Sequence, residues 1–461
     1  MEMEAMGVTT KLGGQARSRW NRSSAGVRRI VLALCAVVNL SHAAMAVQAK
    51  PQNQASSQEL RGVWFTANDM PVLRDRGRMQ AAVNQLADLG FNRLYVVAWN
   101  SGLTYYPSQV SQQRQLQDFT FRGLQGQDYL GEFISAGRNR GIAVIPWFEF
   151  GFMAPPDSAL AKRHRAWLTQ KRDGGLTSTS AAGEVVWLNP FRPEVQQLIT
   201  DLVLEVVRQY DAEGIQFDDH MSLPRDFGYD SFTTALYRKQ TGRKPPANPD
   251  DPAWVKWRAD RITSFMAQLA RAVRKARPGA LISISPNYYD FAYKRQLQDW
   301  QSWVQQGIAD ELLVQIYRPE LNSYLPHLTR PEVQKAKGRI PTAIAVMSGQ
   351  RNRPTSLELM RRKVEANRVR GLGVAFFYFE SLWSLGPEPK EQRIRGLAEI
   401  LGSTPAPPLP LPSPSPPPLT LQPSPALLPP LDGHRKLSIS RQTASSRPAR
   451  SDLFPPQALP R

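Results

Sequence analysis

The stretch Gly214-Ile215-Gln216-Phe217-Asp218-Asp219-His220-Met221-Ser222-Leu223-Pro224 decides how the rest of the chain is read. Apolar and polar residues alternate over its first five positions. Two adjacent carboxylates, a histidine and a proline-containing loop follow, the pattern of a strand that ends at a reactive rim. Strand periodicity puts Ile215 and Phe217 on one face and Gln216 and Asp218 on the other. With the apolar face against a helix layer, Gln216 and Asp218 point into a barrel or cleft. A single Asp after a strand also commonly caps a loop or helix, so the stretch takes its meaning from what surrounds it.

Outward from it, between about residues 55 and 402, short β-rich runs alternate with amphipathic helical patterns. The strand candidates are Arg61–Thr66, Arg93–Trp99, Ala143–Phe148, Gly214–Asp218, Leu281–Ser285, Glu311–Ile316, Arg339–Ala345 and Gly373–Tyr378. Between them the helical patterns run over Arg78–Leu89, Tyr129–Arg140, Pro193–Tyr210, Pro252–Ala276, Phe291–Gln306, Pro331–Ala336, Thr355–Arg370 and Lys390–Leu401. Eight such pairs predict a (β/α)8 barrel of the TIM type. The competing open doubly wound sheet usually shows a glycine-rich phosphate loop after its first strand, and Arg61-Gly62-Val63-Trp64-Phe65-Thr66-Ala67-Asn68 has none. Two connections, 150–192 and 219–251, exceed ordinary loop length and are expected to be functional loops over the barrel mouth. Asn189, beside Pro190 and Pro193, is expected to belong to the turn into the third helix.

Both ends of the chain differ in composition from this middle. Arg17, Arg19, Arg22, Arg28 and Arg29 precede the apolar run Ile30 to Leu40 and then Ala44-Met45-Ala46, the layout of a signal peptide cleaved after about residue 46. A membrane anchor needs ~20 apolar residues and finds about half that number before Ser41 and His42. The mature protein is therefore expected to be exported and to have no integral membrane segment. Its one cysteine, Cys35, lies inside the apolar run, with a bulky Leu where a lipid-attachment site expects a small residue. No disulfide framework is possible, and the core must supply stability. Residues 403–461 hold 17 of the 39 prolines. Such a segment favours extended polyproline conformation and is expected to be a disordered basic tail, either a tether across the envelope or dispensable.

The formal charge is +19, of which 1–49 and 403–461 carry +4 each, leaving +11 for the middle. Outside the cytoplasm such a charge suits envelope polyanions better than nucleic acid, although it also suits a merely solubilising surface.

In a barrel of this kind the chemistry sits at the carboxyl ends of the strands. The third strand ends with Ile145, Trp147 and Glu149 on one face, a carboxyl beside a large aromatic surface. That pairing suits a sugar site: the ring is an apolar platform, and desolvation raises the carboxyl toward general-acid duty. A buried Glu paired with an Arg is the plainer reading. On the fifth strand Ser283, Ser285 and Asn287 make an unusually polar inward face. The sixth supplies Gln315 and Tyr317 with Arg318 beyond, and the eighth supplies Phe376, Tyr378 and Glu380, followed by Trp383. Four acids, Glu149, Asp218, Asp219 and Glu380, thus converge with amides and aromatics on one rim. Glycoside hydrolysis needs such a set: a protonated acid for the leaving oxygen, and a second carboxylate for water or the anomeric carbon. In this reading Glu149 is the general acid and Asp218 the second carboxylate, with the two roles exchangeable. Asp219 and Glu380 support them, while Trp147, Asn287, Gln315, Tyr317 and Tyr378 line the sugar site.

A metal is the competing use of Asp-Asp-His. The middle of the chain has only His164, His220 and His327, with no two within five residues, so the close His pairs of many zinc sites are missing, although a mixed carboxylate site stays open. No cofactor is expected. Serine chemistry is weaker still, because no Gly-x-Ser-x-Gly elbow occurs.

Arg61-Gly62-Val63-Trp64, Pro146-Trp147-Phe148-Glu149, Leu188-Asn189-Pro190 and Gly214-Ile215-Gln216-Phe217-Asp218-Asp219, in that order, resemble the glycosyl-hydrolase-like 10 family over essentially all of 55–402. The resemblance implies a (β/α)8 glycoside hydrolase of the bacterial envelope, acting on peptidoglycan glycan strands stripped of stem peptides. Many members carry Tyr where this chain has His220. Stripped strands bear lactyl carboxylates, which would give the basic domain and Arg318 a physical purpose. Two other readings of the same residues are a non-catalytic barrel that binds wall glycan and a metal-dependent polysaccharide deacetylase.

Overall fold

The computed structural model describes residues 59–116, 127–180 and 183–402. The signal-like segment 1–46, residues 55–58 of the expected domain and the proline-rich 403–461 lie outside the described residues.

Eight parallel strands close into a barrel: β1 (Arg61–Phe65), β2 (Arg93–Asn100), β3 (Ala143–Phe148), β4 (Gly214–Asp218), β5 (Leu281–Ser285), β6 (Glu311–Gln315), β7 (Thr342–Met347) and β8 (Gly373–Phe377). Gly62 of β1 stands opposite both Arg93 of β2 and Ala375 of β8, which is the closure. The outer layer is α1 (Arg76–Asp88), α2 (Tyr129–Asn139), α3 (Pro193–Gln209), α4 (Pro252–Ala276), α5 (Trp300–Gln305), α6 (Pro331–Lys337), α7 (Leu357–Arg368) and α8 (Lys390–Leu401). Helix α3 shows why the layers hold. Pro193 starts it, and Val195, Leu198, Ile199, Leu202, Val203 and Val206 recur at helical spacing and are all buried. Truncating one such Leu to Ala would cost about 2–5 kcal/mol. No helix among the described residues is long and apolar enough to cross a membrane.

The barrel interior is polar at its floor. Trp64 Nε1 donates to Gln216 (2.7 Å), Gln216 donates to Ser283 (2.9 Å), and Ser283 donates to Glu311 (2.8 Å). Glu311 also accepts from Tyr95 (2.7 Å) and Arg93 (3.1 Å), so this buried acid is fully partnered. Gln216 and Ser283 therefore face inward, as their alternation predicts.

Three expectations are corrected. The run Phe291–Gln306 is not one helix: it splits into Tyr289–Gln296 and α5, because Leu297 adopts a left-handed conformation (φ 54°) and Asp299 caps a new start through the Ser302 amide. Strand β7 begins at Thr342 rather than Arg339. The amides of Arg339 and Ile340 still bond the carbonyl of Ala336 at the end of α6, and Pro341 has no amide to give a ladder. On β8 the inward residue is Phe377, whose ring meets Trp64 and Trp147, while Phe376 faces outward against Phe91. Both faces of a barrel strand are apolar, so hydrophobicity could not fix the parity of Phe376 and Phe377.

The long connection after β3 carries a small antiparallel sheet of Met153–Ala154, Thr177–Ser180 and Gly183–Trp187. The connection after β4 carries the helix Ser231–Thr241. Asn189 ties the two together: its amide donates to Asp230 (3.0 Å) and Thr233 (2.8 Å), and its carbonyl oxygen accepts from the Phe191 amide (2.9 Å). Buried Arg258 of α4 donates to the carbonyls of Arg225, Phe227 (2.6 Å) and Pro249 (2.8 Å), pinning the β4 loop from below without any acid.

Candidate active site

Asp218 is the last residue of β4 and is 5% exposed. Its Oδ1 accepts from Gln315 Nε2 and from the Asp219 amide, both at 2.6 Å. Asp219, one residue later, has Oδ2 held by the amides of Asn287 and Gln296, each at 2.8 Å. The neighbouring acids are thus treated differently. Burial, then the adjacent negative Asp219, pushes the Asp218 carboxyl well above the usual range. Burial acts upward on Asp219 too, but His220, the hydrogen bond from Asp218 and the Gln296 and Gln315 amides outweigh it and hold Asp219 below its ordinary value. The two acids titrate as a coupled pair, in which Asp218 is pushed toward the protonated form and Asp219 toward the ionised one.

Glu149 follows β3 on the neighbouring stave and is half-buried. Burial raises its carboxyl to about 7, against the lowering influence of the Asn100 amide and His220 and with the charge of Asp219 adding to the rise. Asn100 Nδ2 donates a short hydrogen bond to Glu149 Oε2. His220 Nδ1 lies 2.8 Å from the carbonyl oxygen of Glu149 and 3.6 Å from Asp219 Oδ1. A carbonyl only accepts, so Nδ1 carries a proton and the ring links the two acid positions. Its placement depends on Gly151. That residue sits at φ 48°, and a Cβ there would lie 2.4 Å from the carbonyl oxygen of His220, so only glycine lets the two loops touch.

Tyr317 completes the cluster. Burial first, then the charges of Asp218, Asp219 and Glu149, pushes its phenol well above 10, so it stays a hydrogen-bond donor. Its ring packs 5.5 Å from Phe377.

Of the residues singled out from sequence, Glu149, Asp218, Asp219, Asn287, Gln315 and Tyr317 come together. Glu380 and Tyr378 stand in another corner, between β8 and β1. There the Glu380 amide donates to Asp69 (2.8 Å), and Tyr378, pushed up to about 12 by burial and then by Glu380 and Asp69, heads the short helix Phe379–Ser384. Trp147 is 1% exposed and packs edge-on against Trp64 and Phe377, with its indole N–H lacking an acceptor among the described residues. Arg318 stacks over Tyr288.

Several site residues had escaped the sequence reading. Asn100 enters because a bulge between Val97 and Trp99 breaks the alternation of β2, so counting by twos from Tyr95 passes it over. Gln296 and Gln298 arrive through the break at Leu297. Gln298 Nε2 donates to the Asp218 carbonyl (3.0 Å), and neither glutamine could reach the acids from an unbroken helix pattern read as outer layer. Phe377, in contact with Trp147, Tyr317 and Tyr378, was hidden by the parity of β8.

Asp218, Asp219 and His220 offer three ligand-type atoms within 4.8 Å of one another. In this structure His220 Nδ1 is committed to a carbonyl, which leaves Nε2 as the ring atom open to a ligand, while both Asp219 oxygens face amide donors, the arrangement of an acid held by hydrogen bonds. Chemically, the cluster can hold a proton on one carboxyl at neutral pH while keeping a nearby carboxylate ionised. That is the division of labour acid–base catalysis requires.

The profile of the glycosyl hydrolase-like 10 family matches residues 59–364. Over 306 residues the chain is 27% identical to the glycosyl hydrolase DigH of Escherichia coli strain K12, covering 58% of this chain and 67% of that protein. It is 22% identical over 298 residues to the glycosyl hydrolase YngK of Bacillus subtilis, covering 58% of this chain and 55% of YngK. Among solved structures, the PgaB (BpsB) glycoside hydrolase domain from Bordetella bronchiseptica aligns with a TM-score of 0.56 at 15% identity, over 75% of this chain and 99% of that domain. At that identity the likeness is one of fold. The profile match runs from β1 into α7, through every strand end that carries the acid cluster, and on it the chain belongs to the glycosyl hydrolase-like 10 family.

Proposed function

We propose that the protein is an exported glycoside hydrolase that cleaves an envelope polysaccharide, the peptide-free glycan strands of peptidoglycan. One observation carries this reading: a carboxyl raised to about 7 at Glu149 shares the barrel mouth with a carboxylate kept ionised at Asp219. Glu149 gives its proton to the leaving glycosidic oxygen. The Asp218–Asp219 pair acts as a unit, its charge facing the anomeric carbon or the attacking water. Tyr317, a phenol throughout, donates to the sugar. The names of the relatives, glycosyl hydrolases in both cases, support the reaction class. The basic leader, the apolar run Ile30 to Leu40 and Ala44-Met45-Ala46 support export, and the middle charge of +11 suits an anionic glycan.

The test is a reducing-end assay on purified peptide-free strands, with Glu149→Gln as control and with and without chelator. New ends from the wild type alone, unaffected by chelator, establish the activity. Strands that co-sediment with the protein and yield no new ends would instead make it a binding barrel. Acetate release abolished by chelator would turn Asp218, Asp219 and His220 into a metal site.

A further inference from the structure

A strongly charged face lies outside the acid cluster. From Ser231 to Asn248, in the connection after β4, the chain carries Arg238, Lys239, Arg243 and Lys244 and no acid. All four are exposed. So is Arg172 of the connection after β3, whose guanidinium donates to the Ala247 carbonyl oxygen at 3.4 Å and thereby joins the same face. The acids nearest along the chain are engaged elsewhere. Asp226 and Asp250 both pair with Arg225, and Asp251 caps α4 through the Ala253 and Trp254 amides (3.0 Å each). Asp230 is buried against Asn189 and Thr233, and Asp173 accepts from the Gly175 amide (2.9 Å). The five cations are left without an ion pair among the described residues.

Ordered backbone displays them. Thr233 and Tyr237, four apart on the helix Ser231–Thr241, are buried, and the Tyr237 ring packs on Trp254 (4.9 Å) and Trp257 (5.2 Å). Ser231, Ala235, Arg238 and Lys239 therefore fall on the outer side and are exposed. Arg238 and Lys239 also suit the helix C-terminus, whose carbonyls favour positive charge. That account stops at Gly242 (φ 70°), which ends the helix, since Arg243 and Lys244 lie beyond it. The segment after them is fixed by Tyr229, donating to the Pro246 carbonyl (3.0 Å), and by Arg258, donating to the Pro249 carbonyl (2.8 Å). Like charges held together without counter-ions repel one another, and an external anionic surface relieves that repulsion.

The kind of surface follows from what this face offers. The rings beneath it turn inward: Trp254 and Trp257 stack on each other at 5.3 Å, and the Trp257 indole N–H is taken by Gln240 (2.9 Å). The rest of the helix's outer side consists of the small residues Ser231, Thr234 and Ala235. A saccharide needs an aromatic platform and directed hydrogen bonds. A fluid anionic bilayer needs only several cations within about 10 Å of its surface. We propose that Arg172, Arg238, Lys239, Arg243 and Lys244 form a docking face for an anionic phospholipid bilayer, through which the protein meets a membrane peripherally by the connections flanking its barrel mouth. This does not rest on the glycosidase reading.

The experiment is co-sedimentation of the full chain with vesicles of phosphatidylcholine alone or with about one-third phosphatidylglycerol. Anionic vesicles are expected to bind better, and rising salt to weaken that binding. Because both ends of the chain are basic as well, the deciding comparison is between variants of equal charge. Arg243→Gln with Lys244→Gln should lower partitioning onto anionic vesicles by about 10-fold or more, at roughly 5-fold per cation. Lys335→Gln with Arg339→Gln, which removes two exposed cations at the C-terminal end of α6, should lower it by less than about 3-fold. Arg243→Lys should bind within about 2-fold of the wild type, because a bilayer reads charge rather than a guanidinium fork. Circular dichroism checks that each variant is folded. Equal binding to both kinds of vesicle, or equal losses in the two double variants, overturns the proposal. A loss of co-sedimentation with peptide-free glycan strands in Arg243→Gln with Lys244→Gln, with vesicle binding intact, assigns the face to glycan and overturns it too.

Discussion

Two corners of the barrel mouth carry an acid and a tyrosine at strand ends, and they are put to different uses. At β3–β6, Glu149, Asp218 and Asp219 are met by side-chain amides from Asn100, Asn287, Gln296 and Gln315. Between β8 and β1, Asp69 is met by backbone: its carboxylate accepts from the Thr66 amide (2.7 Å) and the Glu380 amide (2.8 Å). Both corners raise a carboxyl to about 7 through burial, Glu149 in one and Asp69 in the other. What differs is the company. Asp69 is 1% exposed and staples the segment after β1 to the helix after β8, whereas Glu149 is half-buried and faces an ionised partner. A perturbed carboxyl is therefore a candidate for chemistry only when it retains access and a second acid with the opposite tendency.

The largest effect that would sharpen this contrast is on turnover. Glu149→Gln and Asp219→Asn should each lower kcat by about 10²–10⁴-fold, the usual contribution of a positioned acid or base, with the folded barrel retained by circular dichroism; Asp218→Asn should do likewise if the pair works as a unit. Normal kinetics in any of these would remove that residue from the mechanism. Smaller, but more specific, is the effect of Gln296→Ala. Removing a donor to ionised Asp219 should cost roughly 10-fold in kcat and move the acidic limb of the pH–rate profile upward, whereas a merely structural role would leave that limb in place.

The pH profile itself should be bell-shaped. Activity should fall as pH rises through about 7, where Glu149 loses its proton, and fall again in acid as Asp219 gains one. The linkage has a definite sign. Glu149 ionises more readily in the unfolded chain, so its contribution to stability is present below its ordinary range near 4.5 and is lost as pH rises through about 7. The Glu149→Gln midpoint should accordingly gain on the wild type between about pH 5 and 8, measured by thermal melts; a gap that shrinks over that window contradicts a raised Glu149.

In the other corner the expectation is stability without chemistry. Asp69→Ala should cost about 1–3 kcal/mol in urea unfolding by orphaning two amides. Glu380→Gln, the smallest effect, should change kcat by less than about 3-fold, since no step of the mechanism passes through it. A Glu380→Gln enzyme as poor as Glu149→Gln would merge the two corners into one site.

Much of this was legible in the residues. Alternation placed Gln216 and Ser283 inside the barrel, and the strand ends delivered Glu149, Asp218, Asn287, Gln315 and Tyr317, because period two and the clustering of βα loops at one face are local rules. The misses share a cause, in that each depended on a departure from periodicity. A bulge turned Asn100 inward, a left-handed Leu297 released Gln296 and Gln298 toward the acids, and a strand apolar on both faces hid Phe377 behind Phe376.

The sequence by itself determined the order of the barrel strands and outer helices, the barrel, and four of the acids at its rim, with Asp69 not among them, since hydrophobic spacing and residue chemistry are properties of neighbours along the chain. Only the tertiary structure decided which acids meet, which of them keeps its proton and which is a staple. Those outcomes depend on burial and on donors brought from other strands: Gln315 lies 97 residues beyond Asp218, and Glu380 lies 311 beyond Asp69. A carboxyl's protonation is set by what surrounds it in space, and the surroundings exist only once the barrel has closed.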